Sequence, residues 1–162
     1  MNDTLKVEPK ERGAGTRKAK LTRLHHITLR VKDFEKDVKR WTSTFGEGPY
    51  RIDDKPEWGY RMAFFKTANV NIVLLHDYGI KSINESHQRV MKASPPDSVG
   101  FFHMAFLTDD IDGAVQEMSQ AGVTVWDKEP QPEGYGGSRY AWISPDETCH
   151  TLVHLYQADW GL

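Results

Sequence analysis

An internal repeat constrains the fold of this chain more than any other feature of its sequence. The stretch LTRLHHITLRV alternates between two sets of side chains, which is typical of a strand with two different faces. An offset of 77 residues carries His26 of this strand onto His103, and it also carries Asp33 onto Asp110. The same offset aligns two apolar pairs, Phe34 with Ile111 and Val38 with Val115. These coincidences predict a duplicated α+β unit in which each half opens with a strand that carries an inward-facing histidine.

A helix is predicted directly after the first strand of each half. In the first half, Asp33 is the predicted N-cap, apolar residues recur at helical spacing, and Gly46 ends the helix. In the second half, the corresponding helix begins after Asp110 and ends at Gly122. Each half therefore begins with a strand and a helix in the same order.

Three further strands are predicted in each half. They lie around residues 50–53, 60–66 and 70–76 in the first half, and around 123–126, 138–143 and 151–156 in the second, with PEGYGG as a hairpin. The sequence thus predicts two βαβββ modules, residues 21–78 and 101–157, which form a curved mixed sheet around a cleft within one domain, 21–157. The linker 79–100 is expected to contain a short helix around 86–91.

Length and composition limit the class of protein and its partners. A chain of 162 residues fits one domain, and 38% hydrophobic with 27% charged residues is typical of a globular protein. A net charge of -2 lacks the basic excess that nucleic-acid binding requires, and no apolar run is long enough to span a membrane. Residues 1–20 are expected to form a flexible tail and 158–162 a short C-terminal tail. The single cysteine, Cys149, is expected to be a buried thiol and fits a cytoplasmic location.

Strand parity places three histidines in the cleft. Since the apolar set of the first strand should pack on the helix, His26 faces the concave side, and His103 does so in the matching strand. In the last strand, HTLVHLY, His154 shares a face with Leu152 and Tyr156. Three converging imidazoles suit one divalent transition metal with positions left open for water or substrate. The sequence therefore predicts a metal site of His26, His103 and His154.

Other residues in or near the cleft are candidates for catalysis or substrate binding. Tyr140 and Tyr156 are candidates for acid or base catalysis, and His150 is either an extra ligand, a proton shuttle or a residue at the mouth of the strand. Arg30 either binds a substrate anion or forms a salt bridge with a neighbouring carboxylate. Aromatic residues either favour a flat or apolar substrate or simply fill the sheet core, and the candidates for substrate contact are Phe64, Phe102 and Trp142. His25 is expected to face away from the cleft, and His87 to lie in the linker.

Three segments resemble the vicinal oxygen chelate superfamily, which includes glyoxalase I, methylmalonyl-CoA epimerase, bleomycin resistance proteins and type I extradiol dioxygenases. The segments are LHHITLRVKDFEKDV, GFFHMAFLTDDIDGAVQEMSQAGV and GGSRYAWISPDETCHTLVHLY, the last being similar to the epimerase branch. The resemblance covers about residues 22–157 and implies a glyoxalase-like fold of two βαβββ modules. It also implies that metal ligands fall on His26 and His103, and that the protein is a homodimer.

The chain departs from the pattern of this superfamily at its other ligand positions. The glutamate of the last strand is replaced at Val153-His154-Leu155, the fourth ligand of the glyoxalase and epimerase branches falls on Val73, and the second base of epimerases falls near Met62. Dioxygenases of the superfamily also lack the fourth ligand. The resemblance therefore implies an Fe(II) dioxygenase acting on a small chelating, aromatic or enolisable substrate. A Zn-, Co- or Ni-dependent isomerase, epimerase or lyase is the alternative, and a ligand-sequestering protein without catalysis is a third.

Overall fold

The first strands of the two halves pair with each other at the centre of one sheet. The computed structural model describes residues 21–78, 84–94, 98–132 and 138–158. The tail expected over residues 1–20, the turn of the predicted hairpin at 133–137 and residues 159–162 of the predicted C-terminal tail lie outside these ranges. Within them the strands are β1 Leu21–Val31, β2 Arg51–Lys55, β3 Tyr60–Lys66, β4 Asn71–Asp77, β5 Gly100–Thr108, β6 Gln131–Pro132, β7 Arg139–Ile143 and β8 Leu152–Gln157. The helices are α1 Phe34–Phe45, α2 Glu85–Ala93 and α3 Ile111–Gln120.

The order of the strands shows the duplication directly. The sheet runs β2-β3-β4-β1-β5-β8-β7-β6, so each half contributes four consecutive strands. The first strand of each half pairs in parallel with the last strand of the same half, β1 with β4 and β5 with β8, while β1 and β5 are antiparallel. The predicted α+β architecture, a curled mixed sheet of two βαβββ modules, is confirmed.

The equivalent helices α1 and α3 begin with the same capping arrangement. The carboxylate of Asp33 accepts a hydrogen bond from the backbone N–H of Lys36, and that of Asp110 accepts one from Gly113. Such caps satisfy N–H groups that have no partner within the helix. The helices end near Gly46 and Gly122, whose φ angles of 79° and 81° favour glycine. The start and stop signals predicted from the repeat are therefore present in both halves.

The two faces of the sheet pack against different helices. On one face, α1 packs through Phe34 on Leu74, and α3 packs through Ile111 on Leu155. On the opposite face lies the linker helix α2, whose Val90 and Met91 join the cluster that contains the aromatic residues of the cleft. The helix predicted around 86–91 is thus present, and it forms part of the wall of the cleft.

The strand predicted around residues 123–126 is wrong, because only one isolated bridge, between Val125 and Ile143, forms there. Beyond this bridge, the N–H of Trp142 donates to the carboxylate of Asp127 rather than to a backbone carbonyl. The carbonyl of Trp126 accepts instead from Arg89 of α2. The ladder therefore stops after one bridge, and β7 pairs next with the two-residue strand β6.

Cys149 is exposed, so the prediction of a buried thiol is wrong; the residue lies on the turn before β8. None of the helices in the described ranges has the length and apolar character needed to cross a membrane.

Candidate metal centre

Three histidines from three neighbouring strands meet on the concave face of the sheet. His26 of β1, His103 of β5 and His154 of β8 are each at most 7% exposed, and their ligand nitrogens lie within 4.8 Å of one another. In the register of β1 and β5, Thr28 lies opposite His103, and in that of β5 and β8, Ala105 lies opposite His154. The parity of these strands therefore brings the three predicted imidazoles to one point.

The spacing of the three nitrogens fits a single metal ion. The Nε2 atom of His26 lies 3.1 Å from Nε2 of His103 and 3.4 Å from Nε2 of His154. Two imidazoles bound to one ion at about 2.0–2.1 Å have nitrogens about 2.8–3.4 Å apart for angles between octahedral and tetrahedral. These two distances fit imidazoles on one ion, and the three nitrogens form a group that could hold a divalent metal.

The three imidazoles are neutral at neutral pH. Burial lowers the pKa of His26, His103 and His154 well below the usual value, and repulsion from neighbouring imidazoles lowers each further. Neutral imidazole is the form that binds metal, so protons do not compete with an ion here at pH 7.

Aromatic and aliphatic side chains surround the histidines. The adjoining cavity of about 70 Å³ has as walls Trp58, Tyr60, Met62, Phe64, Val73, Leu75, Val90, Phe102, Tyr140 and Trp142. The ring of Trp142 stacks on His154 with centroids 4.4 Å apart and planes 14° apart. Such a cavity suits a small, flat or apolar group.

No Asp or Glu contributes to this cavity wall within the described part of the chain. Val73 and Met62, the positions at which the superfamily pattern has a ligand and a base, both lie in the wall. The Oγ1 atom of Thr28 lies 3.0 Å from Nε2 of His103. A metal ion here would be held without a compensating negative charge from the described residues.

Arg30 lies on the same face of β1 as His26 but is not part of the cavity wall among the described residues. Its guanidinium donates to the hydroxyls of Ser94 and Ser98, lies 3.9 Å from Asp77 and covers the ring of Phe102 at 4.3 Å. Of the two interpretations from sequence, the structure shows the salt bridge. Arg30 thereby connects β1 to the end of α2.

The three catalytic candidates have different positions. Tyr140 lies in the cavity wall, with its ring 6.1 Å from that of His154. Tyr156 is 4% exposed and packs behind the histidines, with its ring 5.9 Å from that of His26. His150 is exposed on the turn before β8, within 4.0 Å of Asp146. The structure does not bring His150 to the cluster.

Two histidines that the sequence predicted to be remote lie at the site. His87 of α2 lines the cavity, and burial lowers its pKa while the nearby Asp77 raises it. His25 is 7% exposed, and burial, with repulsion from Arg23, lowers its pKa to about 4. For His87 the available signal was the helical spacing from His87 to Val90 and Met91, which puts it on the same side of α2 as two core residues. For His25 there was none, because the register of β1 changes locally between Leu24 and His26.

Comparisons with known proteins agree on one group. A sequence profile of the glyoxalase/bleomycin resistance protein/dioxygenase superfamily matches residues 12–142. A lactoylglutathione lyase from Arabidopsis thaliana is 30% identical over 136 residues, which is 81% of this chain and 44% of the lyase. The mitochondrial methylmalonyl-CoA epimerase of Mus musculus is 27% identical over 139 residues, which is 86% of this chain and 75% of the epimerase.

Solved structures of methylmalonyl-CoA epimerases are also similar to this chain. A variant of Streptomyces coelicolor methylmalonyl-CoA epimerase, in complex with 2-nitronate-propionyl-CoA, superposes with a TM-score of 0.70 at 25% identity. The match covers 86% of this chain and 96% of that chain. The chain thus spans less than half of the plant lyase but nearly the whole of this bacterial epimerase.

Proposed function

This chain belongs to the glyoxalase/bleomycin resistance protein/dioxygenase superfamily, and from this premise we propose that it is an enzyme whose divalent metal ion is held by His26, His103 and His154. The support for this proposal is the convergence of three neutral, buried imidazole nitrogens next to an apolar cavity. Structural metal sites are usually closed by four protein ligands, whereas three ligands leave room for a substrate.

We propose oxidative cleavage of a small chelating substrate, aromatic or enolisable, as the reaction, with Fe(II) as the metal. Two observations favour this reaction: Val73 lies in the cavity wall at the position of the fourth ligand, which dioxygenases of the superfamily also lack, and the wall is rich in aromatic side chains. His26, His103 and His154 would hold the Fe(II), which would supply the redox chemistry for the reaction of O₂ with the substrate.

The residues of the chain orient the substrate and exclude water. Phe64, Phe102 and Trp142 form flat apolar surfaces against which an aromatic or enolate substrate can lie. Trp142 also holds the plane of His154 by stacking on it. Tyr140 is the candidate proton donor for a substrate oxygen, because its ring lies in the wall beside His154. In this proposal Tyr156 supports the histidines from behind, and Arg30 stabilises the cavity through its contacts with Phe102 and α2.

A second candidate is a Zn-, Co- or Ni-dependent isomerase, epimerase or lyase. Two observations favour it: the relatives are lactoylglutathione lyases and methylmalonyl-CoA epimerases, and His87 offers a neutral imidazole in the cavity wall. In that reaction His87 would take the proton from the substrate, which a histidine of lowered pKa can do at neutral pH. A bound metal ion would polarise the substrate carbonyl.

Metal content and oxygen uptake distinguish the two candidates. Protein purified without oxygen should contain iron, and after reconstitution with Fe(II) it should consume O₂ in the presence of catechol or of 2,4-pentanedione, whereas His26→Ala should not. Zinc in the purified protein and no oxygen uptake after Fe(II) reconstitution with either class of probe would contradict the dioxygenase. The isomerase or lyase would then be tested by exchange of substrate C–H protons with D₂O, which His87→Asn should abolish.

A homodimer remains a prediction for this chain. Light scattering on the eluted protein in size-exclusion chromatography would give the mass of the assembly directly.

A further inference from the structure

His25 contacts His26 through the Nδ1 atoms of the two rings. Nδ1 of His25 lies 2.8 Å from Nδ1 of His26, and both side chains are 7% exposed. Strand parity alone would put the two side chains on opposite faces of β1. The pairing of β1 with β5 shifts between Leu24 and His26, so that Leu24 pairs with Phe106 and His26 with Ala105. This irregularity leaves His25 without a partner residue on β5, and a β-bulge re-aims side chains in this way.

The contact between the two Nδ1 atoms requires one proton between them. At a separation of 2.8 Å, one nitrogen must be an N–H donor and the other an acceptor. A histidine that binds metal through Nε2 carries its proton on Nδ1. The Nε2 atom of His26 is the one that faces His103 and His154, so in a metal-binding state His26 donates and His25 accepts.

We propose that His25 is a positioning residue that fixes the tautomer and ring orientation of His26 for metal binding. This inference rests on the proposed three-histidine centre. A metal-binding histidine usually donates its second N–H to a carboxylate, a carbonyl or water, and the partner increases metal affinity. Here the imidazole of His25 is the acceptor of that hydrogen bond. It is itself held in place, because its ring stacks on Tyr156 with centroids 4.5 Å apart and planes 28° apart.

In the second half of the chain, the position equivalent to His25 holds a phenylalanine. The residue before His103 is Phe102, which lines the cavity, and Nδ1 of His103 has no hydrogen-bond partner among the described residues. Nδ1 of His154 has none there either. Among the three proposed ligands, only His26 has a side-chain hydrogen-bond partner at Nδ1 within the described part of the chain. We therefore expect a change at His25 to act on metal binding through His26 alone.

Substitutions at His25 separate hydrogen bonding from packing. His25→Phe keeps a ring that can stack on Tyr156 but removes the acceptor, whereas His25→Asn restores an acceptor near the position of Nδ1. His25→Phe should weaken the binding of Zn²⁺ and Co²⁺ on the order of 10- to 100-fold, as loss of such partners does elsewhere, and His25→Asn should recover most of it. His76→Phe, a ring exchange on β4 outside the cavity wall, should bind both ions like wild type. Affinities come from competition with a chromophoric chelator.

The tautomer of His26 provides a readout that needs no metal. Long-range ¹H–¹⁵N correlation spectra of the metal-free protein should show the proton of His26 on Nδ1 in wild type and a shift towards Nε2 in His25→Phe. An unchanged tautomer in His25→Phe would overturn the inference, even if wild type binds no metal. Equal Zn²⁺ affinity of wild type and His25→Phe would overturn it while leaving the three-histidine centre in place. If His25→Phe does not fold, the same spectra on His25→Asn and His25→Gln decide, since only an acceptor at the position of Nδ1 should preserve the wild-type tautomer.

Discussion

His154 determines the charge of the proposed metal centre. At this position the superfamily pattern has a glutamate, and an imidazole in its place leaves a divalent ion with no negative charge from the described cavity wall. A more positive centre favours anionic chelating substrates and lowers the pKa of bound water. The apolar wall of the cavity favours a substrate whose remaining part is flat. The chemistry of the site should therefore follow from this single exchange more than from the fold.

Trp142 should report metal binding by its fluorescence. Its indole stacks on His154 at 4.4 Å, so Co²⁺ bound to that imidazole lies close enough to quench it. Titration of the protein with Co²⁺ should therefore reduce tryptophan emission until one ion is bound per chain.

The comparison of two tryptophan variants tests the origin of this quenching. Trp142→Phe should lose the largest part of it, whereas Trp41→Phe should retain it, because Trp41 packs with Phe45 and Phe65 on the other side of the sheet. Equal quenching in the two variants would place the ion elsewhere.

At the scale of single elements, alternation along the strands predicted most of the site. The faces of β1, β5 and β8 follow the two-residue period, so the positions of His26, His103 and His154 could be inferred from sequence. Two other features could not. The bulge that brings His25 into contact with His26 depends on how β1 pairs with β5. The placement of His87 depends on how α2 packs on the sheet. Both are set by long-range packing, which local periodicity does not encode.

Asp127 connects α2 to the strand that carries Trp142. Its carboxylate is 5% exposed and accepts hydrogen bonds from the backbone N–H of Trp142 and from the hydroxyl of Ser86. Asp127→Ala should lower the free energy of unfolding by about 1–3 kcal/mol, because it leaves a buried N–H without a partner. Ser86→Ala should cost about 1 kcal/mol, since it removes one of these hydrogen bonds and leaves that N–H paired.

Urea denaturation of the two variants measures this difference. Asp127→Asn keeps an oxygen acceptor and should fall between wild type and Asp127→Ala. Equal stability of wild type and Asp127→Ala would show that α2 and β7 are held together by packing alone.

At the scale of the whole molecule, the duplication creates one shared site. The antiparallel pairing of β1 with β5 puts Thr28 of one half opposite His103 of the other, and both modules then contribute histidines to the same cluster. The sequence repeat predicted this arrangement of two modules in one sheet. It did not predict that the strand expected around 123–126 would be reduced to one bridge, because the N–H of Trp142 donates to the carboxylate of Asp127 rather than to a backbone carbonyl.

The buried histidines should make the stability of the metal-free protein depend on pH. A histidine has a pKa of 6.5 in the unfolded chain, and burial lowers the pKa of His26, His103 and His154 well below that value in the folded chain. Below about pH 6.5 the unfolded chain therefore binds more protons than the folded chain, and the free energy of unfolding falls as the pH falls. Each histidine contributes at most about 1.4 kcal/mol per pH unit.

Urea denaturation at about pH 7, 6 and 5 measures this dependence. His154→Leu should give a shallower dependence than wild type, because one of the three buried imidazoles is gone. A free energy of unfolding that does not change between these pH values would contradict the burial of neutral histidines.

The most direct test of the proposed metal centre is elemental analysis of wild type beside His154→Ala and the control His76→Ala, all purified without oxygen and checked for folding by circular dichroism. Wild type and His76→Ala should contain about one divalent transition-metal ion per chain, and folded His154→Ala should have lost most of it, because two imidazoles remain. Full metal occupancy in His154→Ala would contradict the three-histidine centre.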